Sequence, residues 1–597
     1  MNIKIKNAII VDGTGAKKYL GAIGVTDQRI SDIGKVKGEA DIEIDASGLI
    51  AMPGCIDAHS HADQTLLWFP EAQNFIMQGV TTVIAGQCGS TPAPIKNEMT
   101  LPSMLRDYLF EIKPHKYAPE NRLFSREVVN EWMERVYGWT INYETMDEWY
   151  KAVETRGTSI NIATNIGHGT CRYQVLGEDF DRAATAKEVE EIKEHVIQGM
   201  RDGCVGVSVG LDYDPGYFAD ESELLSIVEC VKEFGGIYTP HFRKNIRAKG
   251  VQGKYYDRYY GYIEVLDHAR KTGTPLHIAH LCPTYGPNKE FTEAWDVNTT
   301  PEILFEAAGK ASMVPLVEAL EEDMDLSFDT IMWPWPRKRV MPYLCSLFTP
   351  LLKELGSRER FAEWLKIPDF RKEVTRSLWE PTGSNAPIFK SPRFPDLIYV
   401  TVAKNKELEG KTIREISSMF DKEPFETYLD LIADDPDIRG AIEFIFSAER
   451  EIREYFKHPL CSVSLDSSAF SKSHELKNPP YSLAGQDMRS TFSGFPAFFE
   501  TYVKNQKLFT VEEAVQKVVL PTKRWNVLKD RGKLVVGAYA DIVLMDLGRL
   551  HVQENDIDPR QYPEGIEYVM VNGEIVAEKG KHLGTRSGKV LRRIDSE

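Results

Sequence analysis

The stretch Pro53-Gly54-Cys55-Ile56-Asp57-Ala58-His59-Ser60-His61 decides how the chain is read. Leu49 to Met52 and Cys55 to Ala58 are mostly apolar and predict a short buried strand, with a Pro-Gly turn before Cys55. His59 and His61 follow at its carboxyl end. Side chains of an extended chain repeat direction every second residue, so both imidazoles point to one side. Two neutral imidazoles on one side can chelate a divalent cation. An isolated His-x-His is more often a surface pair. The strand, the turn and Asp57, placed to orient a ring from behind, favour metal here.

Beyond this stretch the middle of the chain alternates strand-like and helix-like segments. Further strand candidates are Val80 to Cys88, Ser159 to His168, Gly203 to Leu211, Gly236 to His241, Pro275 to His280, Asp325 to Ile331 and Cys461 to Asp466. Helical patterns such as Ala186 to Arg201, Glu221 to Phe234 and Tyr259 to Thr272 intervene. Alternation on this scale implies parallel strands, and eight of them predict an α/β fold of the closed (β/α)8, TIM-like barrel type. An open doubly wound sheet is the alternative, but no GxGxxG opens a helix.

Both ends of the chain look all-β. Ile3-Lys4-Ile5, Ala8 to Val11, Ala22 to Val25 and Arg29 to Gly34 are short strands between turn residues. Near the other end, Leu534 to Asp546 and Ile566 to Val576 complement them, the latter with an Asn-Gly hairpin signal at Asn572-Gly573. Residues 1–52 plus 530–597 are therefore expected to form one discontinuous small β-sandwich domain around a barrel domain at 53–529. Two intervals, 89–158 and 332–460, exceed a simple crossover and read as insertions that build a substrate pocket or lid. Parts of the second read almost as readily as an oligomer contact, which leaves room for a homo-oligomer.

The chain has 597 residues, 42% hydrophobic and 27% charged, enough for more than one domain and a large core. A net charge of -17, spread without a basic stripe, argues against nucleic acid or an anionic membrane as partner. The start lacks a signal-peptide core, and no apolar run is long enough to span a bilayer. Eight scattered cysteines without CxxC spacing fit reduced thiols and a cytoplasmic location.

On a barrel, catalysis is expected at the carboxyl ends of the strands. His59, His61, Cys88, His241, His280 and Asp466 all fall there. One such residue alone is weak evidence, because a strand-end histidine is usually just satisfied polar structure. Four imidazoles, a thiolate and a carboxylate on one rim suit one or two zinc ions.

With these residues in place, the chain resembles the amidohydrolase superfamily, and within it the D-aminoacylase (N-acyl-D-amino-acid deacylase) family. The first-strand HxH, the fifth- and sixth-strand histidines and the eighth-strand Asp carry the superfamily pattern. Thr81 to Gly89, Asn165 to Arg172, Gly210 to Gly216 and Tyr562 to Gly573 carry the closer likeness. The fourth strand lacks the bridging Lys of many amidohydrolases, and Cys88 matches the bridging Cys of D-aminoacylases. The resemblance implies a tighter zinc site from Cys88, His241 and His280. It implies a weaker or empty one from His59, His61 and Asp466, with Cys88 shared. Asp466 is then the general base, and His168 and Tyr213 either assist the oxyanion and acyl group or support the rim.

Departures from the family concern the substrate. Ala279-His280-Leu281-Cys282 lacks the family's Lys, and Met332-Trp333-Pro334-Trp335 replaces a Tyr-Pro-Tyr segment. A carboxylate anchor is then expected from Arg489 or from Arg243, for which a rim salt bridge is an equal reading. Trp333 and Trp335 suggest a bulkier, aromatic or less anionic substrate. The leading expectation is a zinc-dependent hydrolase of an N-acyl amino acid or related small amide. A cyclic-amide hydrolase of hydantoinase or dihydroorotase type, and a non-catalytic relative, are the alternatives.

Overall fold

The computed structural model describes residues 1–96, 98–100, 123–212, 214–243, 258–281, 302–332, 338–341, 343–348, 355, 357–377, 394–443, 449–472, 490–553 and 560–593. Eight strands run parallel in chain order. They are Cys55–Asp57, Val80–Ala85, Asn161–Thr164 (resuming after Asn165 as Ile166–Gly167), Gly206–Gly210, Ile237–His241, Leu276–Ile278, Leu326–Ile331 and Cys461–Ser464. Neighbouring ladders pair throughout, and Val205 N–H donates to Thr164 O at 3.0 Å to carry the ladder past the break at Asn165. The ring comes round through one parallel bridge, Ser60 to Ser467. Asp466 N–H donates to His59 O at 3.0 Å and His61 N–H to Ser467 O at 2.9 Å at the same seam. The fold is a TIM-like barrel.

Local sequence explains these elements. All six residues of Val80–Ala85 are buried, as a barrel strand covered on both faces requires. The helix Ala186–Asp202 starts at a Thr185–Glu188 capping box and turns Val189, Ile192, Val196 and Met200 inward. It ends at Gly203, whose φ of 111° suits the left-handed cap. The cap contributes about 1 kcal/mol.

The apolar stretch read as one strand from Leu49 to Ala58 divides at Gly54. Ile50–Pro53 pairs with Ile542–Met545 in the terminal sheet, and only Cys55–Asp57 belongs to the barrel. A side chain at Gly54 would collide with Thr81, so the chain crosses between the two sheets where it has no Cβ.

The terminal sheet has nine strands. Their order is Lys581–His582, Glu574–Glu578, Ile566–Val571, Ile542–Met545, Ile50–Pro53, Ile3–Ile10, Tyr19–Thr26 and Arg29–Gly34, with Ile42–Asp45 also on Ile3–Ile10. It rolls over one core that includes Ile5, Ile10, Ile23, Ile30, Leu534, Ile542 and Met570. Asn572 and Gly573 both have positive φ, at 49° and 82°, the twist a two-residue hairpin needs. Residues 588–593 leave this sheet and lie along the third barrel strand, where Leu591 N–H donates to Ile162 O at 2.7 Å.

The two insertions differ. Trp132, Met133, Ile141, Tyr143 and Trp149 of the first join the main core. The second carries its own three-stranded antiparallel sheet, Lys338–Met341, Arg439–Glu443 and Ile398–Val402, and a separate core around Phe361, Val400, Ile413, Tyr428 and Ile432. No helix among the described residues is long and apolar enough to cross a membrane.

Candidate metal centre

The six expected ligands come together at the carboxyl end of the barrel in two groups, His59, His61, Cys88 and Asp466, and Cys88, His241 and His280. Within each group all ligand atoms lie within 4.8 Å of one another. Cys88 Sγ is common to both. It stands 3.4 Å from His59 Nε2, 3.4 Å from His241 Nδ1 and 3.5 Å from His280 Nε2. Asp466 Oδ1 stands 3.4 Å from His59 Nε2 and 3.2 Å from His61 Nε2. Every member of the second group is buried, whereas His61 and Asp466 in the first are partly open.

Backbone conformation aims these side chains. Cys88, His280 and Asp466 have φ of 55°, 29° and 54°, in the left-handed region that L side chains rarely adopt. Each such residue costs about 1–3 kcal/mol, a strain that clusters at working sites. Gly86, at φ 67°, makes the turn that precedes Cys88, and a Cβ there would lie 2.3 Å from Asn165 O. Gly89 N–H then donates to Ser208 Oγ at 3.0 Å, fixing the far side of the cysteine.

Burial and mutual charge oppose each other across these groups. Burial resists ionisation of the Cys88 thiol, but the charges of His59, His241 and His280 outweigh it and hold the thiol well below its ordinary range. Burial also pulls His61 down, yet hydrogen bonds to Asp466 and Cys88 win and raise it to about 10. Asp466 is held well below the carboxylate range: burial opposes this, and His59 and His61 override it. Thiolate, carboxylate and imidazole at such separations are the donor set zinc prefers, and the residues fit that ion.

Other sequence-predicted residues have different surroundings. Asp57 is buried and accepts the backbone N–H of His59 at 3.0 Å and of Leu465 at 3.2 Å. It therefore ties the first strand to the eighth rather than orienting an imidazole. His168 is fully buried outside both ligand groups, its Nε2 2.7 Å from Glu223 Oε1. Glu223 also accepts Arg172 Nε at 2.9 Å, so the three form a buried charge cluster between the helices His168–Leu176 and Glu221–Lys232.

Arg243 follows His241 but turns to the loop after the fourth strand. It donates to Glu264 at 3.1 Å, to Tyr217 O at 2.7 Å and to Ala219 O at 2.9 Å. Of its two sequence readings, the structural one matches these contacts: the guanidinium is committed to loop carbonyls and a carboxylate. Tyr213, Trp333, Trp335 and Arg489 lie outside the described residues.

Sequence reasoning passed over a buried polar set beneath the ligands. His277, Ser327, Asp329 and Ser464 lie on three adjacent strands, all buried. Asp329 Oδ2 accepts from His277 Nε2 at 3.0 Å, and His277 Nδ1 is 2.7 Å from Ser327 Oγ. The available signal was the alternation of Ser327 and Asp329 between Leu326, Phe328 and Ile331, which places both polar groups on one face.

An amidohydrolase family model matches residues 43–217. Over 597 residues the chain is 25% identical to N-acyl-D-glutamate deacylase of Alcaligenes xylosoxydans xylosoxydans, covering 99% of this chain and 97% of that one. It is 23% identical over 600 residues to D-aminoacylase of the same organism, covering 99% and 98%. A solved structure of N-acyl-D-glutamate deacylase from Bordetella bronchiseptica, complexed with zinc and a phosphonate mimic of the tetrahedral intermediate, matches with a TM-score of 0.66. That match has 23% identity, covers 99% of each chain and shows the shared fold.

Proposed function

We propose that this chain, related from end to end to the D-aminoacylases of the amidohydrolase superfamily, is a zinc-dependent hydrolase that cleaves the amide bond of an N-acyl amino acid or a related small amide. The observation that carries this reading is the convergence of one thiol, four imidazoles and one carboxylate on the barrel rim. The buried group, Cys88, His241 and His280, would hold zinc tightly, and the more open His59, His61 and Asp466 would hold a second ion weakly, with Cys88 shared.

Zinc held here would supply Lewis acidity, lowering the pKa of an attacking water and polarising the scissile carbonyl. Asp466 stays ionised beside His59 and His61, the form a base needs. It accepts the proton of the water and returns it to the departing amine, which would otherwise leave as an unstable amide anion. Cys88, buried and kept as a thiolate by the surrounding imidazoles, would offset the charge of a bound cation. With Arg243 committed to its loop, Arg489 is the remaining candidate to pair with a substrate carboxylate, and Trp333 and Trp335 to cover an apolar acyl or side chain. His168 would support the rim through Glu223.

The test is a panel of N-acyl D- and L-amino acids and neutral arylamides offered to the zinc-loaded protein. Release of a free amine and a carboxylic acid in equal amounts is expected. A cyclic-amide hydrolase would instead open its substrate without releasing an amine.

A further inference from the structure

We infer that Asp329, on the seventh barrel strand, is the positioning residue of the metal centre, fixing the backbone of His280 in one ligand group and presenting its charge to the Nδ1 side of His59 in the other. The seventh strand contributes none of the six ligands, yet its carboxylate reaches two of them. Oδ1 accepts the backbone N–H of His280 at 3.1 Å and the hydroxyl of Ser464. Oδ2 accepts His277 Nε2–H at 3.0 Å and faces His59 Nδ1 at 3.9 Å.

Each contact has a consequence for a ligand. His280 adopts its rare backbone conformation, φ 29°, only if something holds the turn. Asp329 holds it twice, through its side chain at His280 N and through its own carbonyl, which accepts Leu281 N–H at 2.7 Å. His59 Nε2 faces Cys88 and Asp466, and when that nitrogen ligates a cation the ring proton must reside on Nδ1. A carboxylate facing Nδ1 favours that tautomer and makes Nε2 a better donor.

His277 does not compete for the charge. An ionised carboxylate can only accept, so His277 carries its proton on Nε2 and takes the Ser327 hydroxyl on Nδ1. It acts as a neutral strut, its ring 4.9 Å from that of Trp525. The two ligand groups share Cys88, and the rings of His59 and His280 meet with centroids 4.6 Å apart. Asp329 is a further link between them.

This inference rests on the metal-centre reading, and the experiment separates the two. Zinc affinity is measured by chelator competition, and the absorption spectrum is recorded with cobalt in place of zinc, for wild type and Asp329→Asn. The asparagine keeps the shape but removes the charge and one acceptor. Zinc affinity is expected to fall about 10–100-fold, with altered ligand-field and thiolate bands, an effect of losing a group behind the ligands. A role in packing alone would lower Tm and leave the spectrum unchanged. If Asp329→Asn does not fold, Ser464→Ala and His277→Gln leave the carboxylate in place and each remove one bond that aims it. Weaker zinc binding with a shifted spectrum in either supports the inference. Wild-type binding with every variant unchanged overturns this inference alone, and a wild type that binds no zinc overturns both.

Discussion

Nε2 of His61 stands 3.2 Å from Oδ1 of Asp466, and this contact sets the protonation of the open half of the centre. An imidazole beside a carboxylate and a thiolate keeps its proton to about pH 10. Zinc needs that imidazole neutral, so proton and metal compete for one nitrogen.

Zinc binding is therefore expected to release protons at pH 7, measurable as a buffer-dependent enthalpy in calorimetry, and zinc affinity should rise with pH. In metal-free protein the His61 imidazolium stabilises the fold, because its pKa rises from 6.5 unfolded to about 10 folded. That contribution is complete below about pH 6.5 and is lost as pH climbs through about 10. His61→Gln should flatten the fall in Tm of the metal-free protein over that window. An unchanged slope would mean that His61 is not the protonated group.

Cys88→Ala should lose the tighter zinc and nearly all turnover, because the thiolate belongs to both ligand groups. Elemental analysis of the purified variant checks this. Full zinc occupancy with normal turnover would remove Cys88 from the centre.

Asp466→Asn should retain the zinc held by Cys88, His241 and His280 while kcat falls by orders of magnitude, since an amide cannot take the proton of water. Near wild-type turnover in that variant would assign the base elsewhere.

Arg243→Ala should lower Tm and depress turnover of an acid substrate and its matched carboxamide alike, because its guanidinium holds Tyr217 O and Ala219 O. Arg489→Ala should weaken only the acid, by about 1.5–3 kcal/mol of binding for a lost charge-assisted pair. Steady-state kinetics on the two substrates separates the outcomes, and equal losses in Arg489→Ala would remove it as the anchor.

How much of this was legible depends on what carries each feature. The barrel was, and so was the gathering of His59, His61, Cys88, His241, His280 and Asp466 at one end of it, because strand-end placement follows from local alternation and each of them lies at or just beyond a strand. The role of Asp57 was not, since its partners are backbone groups, one of them Leu465, 408 residues away. Arg243 offered two readings that only its bonds to Tyr217 O and Ala219 O separate. His168 meets Glu223 across 55 residues, a contact that no local pattern announces. Asp329 was hidden for a related reason: its strand supplies no ligand, and its work is done through neighbouring strands. The division at Gly54 was missed because both halves of the stretch are equally apolar.

The most direct test of the whole account is amine release from a panel of N-acyl amino acids, with zinc-loaded and chelator-stripped protein compared in parallel. The account predicts equal amounts of amine and acid from at least one linear amide, abolished by stripping and restored by zinc. Zinc-loaded protein that leaves every linear amide intact but opens a hydantoin ring, or turnover that survives complete removal of metal, would contradict it.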